Sequence, residues 1–120
     1  MGGAMKKIVV IMLIGFSTLV YSIAYAHPPQ DIIITYDSKT QTLKAVILHA
    51  VSNPANHFIK KVDVGLNGRE IVEHQISRQD NNSTQTVSYL IPDVKPGDTL
   101  SVEGYCSISG KLEKEIKVAE

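Results

Sequence analysis

The chain has little sulfur chemistry and no charge bias. It holds one cysteine, Cys106, no tryptophan and only two phenylalanines, and its 12 basic residues balance its 12 acidic ones. A single cysteine excludes any intramolecular disulfide, and with it a disulfide-stapled miniprotein scaffold. Near-neutrality makes nucleic acid and acidic membrane surfaces poor partners. No C-x-x-C, Gly-rich phosphate loop, H-E-x-x-H or G-x-S-x-G occurs, which leaves the common zinc-protease, nucleotide-binding and serine-hydrolase readings without a motif.

Long apolar runs are also absent, save one. Lys6 and Lys7 precede an apolar stretch over 8–26 that ends in Ala24-Tyr25-Ala26. A basic start, an apolar middle and a small-x-small end read as a secretory signal peptide over 1–26, cleaved before His27. The stretch is also close to the ~20 residues that cross a bilayer, so an uncleaved anchor facing outward is the competing reading. Either way the remaining domain, 27–120, is expected in a periplasmic or extracellular setting, touching membrane only through that segment. Its length suits one domain with one core. Without Lys6 and Lys7 the net charge becomes about −2.

Within 27–120, runs rich in Val, Ile, Thr and Tyr alternate with short turn segments. That pattern predicts an all-β domain of seven strands, at 31–36, 41–51, 59–66, 69–76, 84–91, 99–108 and 111–119. Asn67-Gly68 is a strong hairpin signal, because a type I′ turn needs positive φ at both central positions. Seven short antiparallel strands predict a two-sheet sandwich of immunoglobulin type. In the sixth strand, alternation places Leu100, Val102, Gly104, Cys106 and Ile108 on one face, predicted to be the inner one.

Cys106 on that face reads two ways: as a small buried hydrophobe or as a metal ligand. The four histidines bear on the choice. His27 opens the domain, His49 and His57 bracket the loop "HAVSNPANH", and His74 lies in the fourth strand as an ordinary exposed residue. His49 and His57 must therefore lie at one end of the sandwich. Imidazole with thiolate suits iron, copper or zinc rather than magnesium or calcium.

These segments resemble the iron-binding domain of the superoxide reductases, the neelaredoxin and desulfoferrodoxin group. "HAVSNPANHFIKKVDVGL" is similar to that family's H-P-x(4)-H-H-I-x-W-I-x-L, with a loop two residues longer, and "CSISGKLEKEIKV" is similar to its C-N-x-H-G and last strand. The resemblance runs from about residue 27 to the end. It implies an iron held by equatorial histidines, here His49, His57 and the His27 of "HPP", with Cys106 as the axial thiolate, and an electron donor as partner. Thiolate ligation would push electron density onto the metal. The match departs at Ser109, which stands where the family has a histidine, so one equatorial ligand is missing. Lys39 in "YDSKT" lies roughly where the family places its superoxide-attracting lysine, but reads more simply as a turn residue. The implied function is an exported metal-binding protein with a degenerate site and weak or no superoxide reduction. The alternative is a non-catalytic sandwich module, similar to sulfur-oxidation carrier subunits, that has lost the metal site.

Overall fold

The computed structural model describes residues 27–120; the expected signal peptide lies outside the described residues. Seven strands follow one another: β1 (Asp31–Asp37), β2 (Thr42–Leu48), β3 (Ile59–Leu66), β4 (Arg69–Gln75), β5 (Thr84–Leu90), β6 (Thr99–Cys106) and β7 (Lys111–Lys117). All pairings are antiparallel, in two sheets of order β1-β2-β5 and β4-β3-β6-β7. The sandwich is as the sequence predicts. Its fourth strand joins β3 rather than β5, unlike the constant-type immunoglobulin arrangement. The cause is local. Asn67 and Gly68 have φ of 51° and 82°, the paired positive values of a two-residue I′ turn, and this turn folds β4 straight back on β3.

Alternation drives the two sheets together. In β2 the inward residues Leu43, Ala45 and Ile47 are wholly buried, and across from them Val62, Val64, Leu100 and Val102 are as well. Each large aliphatic side chain so buried contributes ~1.5–3 kcal/mol of hydrophobic stabilisation before entropy is counted. β6 shows the expected alternation through Cys106, which is 3% exposed. Ile108 departs from it: the strand ends at Cys106, and Ile108 is 57% exposed in the following turn. Once the ladder stops, period-two alternation no longer says where a side chain points. β2 likewise ends at Leu48, three residues before the predicted end, which leaves His49 just beyond the strand.

The topology sorts the loops. Residues 27–30, the β2–β3 loop, the β4–β5 loop and the β6–β7 turn gather at one end of the sandwich, while the β1–β2 turn, Asn67-Gly68 and the β5–β6 loop lie at the other. Lys39 belongs to the far end, a strand length of roughly 20 Å from His49. Its backbone N–H donates to Asp37 Oδ1 at 2.9 Å, as a turn residue.

Candidate metal centre

Four segments that are distant in sequence deliver side chains to that one end. His49 continues from β2 as a fully buried residue, although imidazole is polar. Burying it requires partners. Its Nδ1 lies 2.8 Å from Gln79 Oε1, and Gln79 is itself 1% exposed. The Gln79 amide nitrogen donates to the carbonyls of His49, at 2.7 Å, and Asn81, at 3.0 Å, and its oxygen accepts from Ile59 N–H at 3.2 Å.

His57 is presented by a turn built on Asn53. The Asn53 carbonyl accepts from the backbone N–H groups of Asn56 at 3.1 Å and His57 at 3.0 Å, and its side chain accepts from Ala55 N–H at 3.0 Å. An Asx-type turn of this kind is what Asn favours. Just after it, the β3–β6 register shifts between Ile59 and Lys61, so that Lys60 is the extra residue of a bulge. Bulges re-aim side chains beside sites. Pairing resumes past it: Ser107 N–H donates to Phe58 O at 2.8 Å, and Phe58 N–H to Ser107 Oγ at 3.1 Å. His57 is thereby held against the end of β6, with Nε2 3.1 Å from Cys106 Sγ.

His27 arrives on a docked strap. Gln30 N–H donates to Leu48 O at 2.8 Å, extending the β1–β2 ladder, and Pro29 is buried. Pro28 lies against Gly110, where a Cβ would meet Pro28 atoms at 3.0 to 3.1 Å. The His27 ring faces two carbonyl oxygens, Ala50 O at 2.9 Å from Nε2 and Pro28 O at 3.0 Å from Nδ1.

The three imidazoles converge. One ligand atom of each of His27, His49 and His57 lies within 4.8 Å of the others. Their ring centroids are 4.9, 5.1 and 4.8 Å apart pairwise, with interplanar angles of 62°, 59° and 87°. The rings thus meet edge to face or tilted, without stacking. Cys106 joins at the His57 side, and Ile108 N–H reaches its Sγ at 3.5 Å. Burial, then the nearby charges of His49 and His27 when protonated, hold the His57 pKa below the usual histidine range. A neutral imidazole is the ligating form.

All four predicted ligands are therefore at one end, and the structure brings the three histidines into one group. Ser109 lies exposed in the β6–β7 turn, beside the groove shared by Lys60, Cys106 and Lys111. His74 is apart from the group, on β4, bonded through Nδ1 to Tyr89 OH at 2.7 Å. Sequence reasoning missed Gln79. It sits in a run of polar residues, "SRQDNNS", that reads as solvated loop, and nothing in the run marks one amide as interior.

Fold and site together define a small β-sandwich whose clustered histidines, with a cysteine alongside, could hold one metal ion. No family model matches the chain, and neither does any curated protein compared with it.

Proposed function

We propose that the protein is an exported metal-binding domain of superoxide-reductase type with an incomplete ligand set. It holds one ion, iron first and copper or zinc as alternatives, through His27, His49, His57 and Cys106. The observation that supports this most is the meeting of three imidazoles from separate segments, with the only cysteine 3.1 Å from one of them. Bonds of ~2.0–2.1 Å to nitrogen and ~2.3 Å to sulfur put two ligands of one ion within ~4.4 Å of each other. The His57–Cys106 separation suits neighbouring ligands of one ion. Three nitrogens in a group without a carboxylate, and a sulfur beside one of them, favour a transition metal over calcium or magnesium.

A bound iron would supply one-electron chemistry. The chain's own residues limit it. The family's fourth histidine is replaced by Ser109, whose hydroxyl is a poor substitute, and Lys39 is at the wrong end to attract an anion. His27 must exchange one carbonyl partner for the ion. We therefore expect metal binding with weak or absent superoxide reduction, and an electron donor only if reduction is found.

The test is elemental analysis of protein produced anaerobically with Fe(II), Cu and Zn supplied, together with His57→Ala and Cys106→Ala. About one ion per chain, lowered by both substitutions, is the expected result. Less than ~0.1 ion per chain, indifferent to either change, would overturn the reading in favour of a non-catalytic carrier module. Superoxide consumption by the loaded protein then separates enzyme from metal store.

A further inference from the structure

We infer that Gln79 is the positioning residue of this site: its amide holds His49 in the Nδ1–H tautomer and so leaves the Nε2 lone pair as the ligand. This rests on the metal reading above. It follows from counting donors and acceptors around two side chains that are 1% and 0% exposed.

The amide orientation is fixed by its partners. One end lies 2.7 Å from His49 O and 3.0 Å from Asn81 O, and carbonyl oxygens only accept, so that end is the NH2 group. The other end lies 3.2 Å from Ile59 N–H, which only donates, so that end is oxygen. A flipped amide would set NH2 against N–H and oxygen against two carbonyls. An oxygen cannot donate to His49, so the hydrogen of the 2.8 Å contact belongs to His49 Nδ1.

In the neutral form of His49, the form that can ligate a metal, the single N–H is then spent on Nδ1 and Nε2 is left as an acceptor. What it faces is another acceptor, the backbone carbonyl of His27 at 3.2 Å. Two lone pairs at that distance make no hydrogen bond, and the place is largely shut off from water by the burial of His49. A cation between or beside them satisfies both. The tautomer imposed by Gln79 thus prepares an electron-rich position within the histidine group, and the same amide ties together the backbone of His49, Ile59 and Asn81. The backbone N–H of Gln79 donates to Pro54 O at 3.1 Å, so the loop that presents His57 hangs on the same residue.

The test is long-range 1H–15N NMR of the metal-free protein at pH 8, followed by Co(II) titration of the wild type, Gln79→Met and Gln79→Glu. Expected are protonated Nδ1 on His49 in the wild type, loss of that preference in Gln79→Met, and a ~10–100-fold fall in Co(II) affinity there, the usual effect of removing a residue that orients a ligand. Gln79→Glu keeps an oxygen for the Nδ1–H and is expected to keep the tautomer and more of the affinity than Met. A purely structural role predicts the reverse order, since the carboxylate would face two carbonyls. Should Gln79→Met fail to fold, the wild-type tautomer and Gln79→Glu still decide. An Nε2–H tautomer in the wild type, or wild-type affinity in Gln79→Met, overturns the inference. Absence of Co(II) binding by a wild type that shows the expected tautomer overturns the metal reading, and with it the ligand role of Nε2, while the tautomer lock stands.

Discussion

Cys106 Sγ stands 3.1 Å from Nε2 of His57, 49 positions away in the chain, because the β3–β6 pairing continues past its bulge to the last residue of β6. Two consequences separate. His57 is half-buried and supports no core packing, so His57→Ala is expected to leave the thermal midpoint of the metal-free protein within a few degrees while lowering metal affinity at least ~10-fold. Cys106→Ser is expected to abolish the thiolate charge-transfer band of the Co(II) form. Calorimetry and optical titration check the pair; an unchanged band in Cys106→Ser would exclude the thiolate.

The lowered pKa of His57 gives a pH dependence with a defined sign. Unfolded His57 takes up its proton near the usual value of ~6.5, and the folded protein does so only at lower pH. The unfolded state therefore binds more protons in that window, and stability of the metal-free protein falls as pH drops below about 6.5. Metal affinity falls in the same direction, since protons compete for the ring. Urea midpoints measured from pH 8 down to pH 5 are expected to decline; a midpoint that rises on acidification would contradict the lowered pKa of the half-buried His57.

Gly110 and Gly68 offer a matched comparison. Both hold positive φ, 86° and 82°, so alanine at either is expected to cost about 1 kcal/mol or more. Only at Gly110 does the added methyl run into Pro28; at Gly68 it meets open space. Gly110→Ala is expected to loosen the strap carrying His27 and weaken metal binding several-fold, whereas Gly68→Ala leaves affinity unchanged at a similar loss of stability. Isothermal titration beside urea unfolding reads both quantities.

On the reading proposed above, Ser109→His would add a fourth imidazole beside Cys106. The expected outcome is iron binding tightened by about 10-fold and superoxide consumption above that of the wild type. Stopped-flow decay of superoxide measures it. No gain in either would count against the superoxide-reductase reading.

Much of the architecture is legible in the sequence, because alternation and turn chemistry are local. The seven strands fall within a few residues of their expected positions, and the Asn67-Gly68 turn has the φ values that its composition demands. Ile108 breaks the pattern because alternation holds only while the ladder lasts. The site was legible as residue types and as one shared end, through His49 and His57 on a single loop. The approach of His27 and Cys106 depends instead on tertiary packing: Pro28 on Gly110, and β6 beside β3. Gln79 was least legible of all, since its burial follows from the inward fold of a loop whose composition is that of a surface.

His27 and Cys106 lie 79 positions apart in the chain, yet both stand beside His57. An ion gripped by both would act as the cross-link that a chain with one cysteine cannot make for itself. Because such an ion leaves on unfolding, it would stabilise the fold by mass action, by about 2.7 kcal/mol at free metal about 100 times its Kd. The cluster would then serve as a removable clasp. A chelator would open it without breaking a covalent bond, and the domain's endurance would follow the local supply of metal.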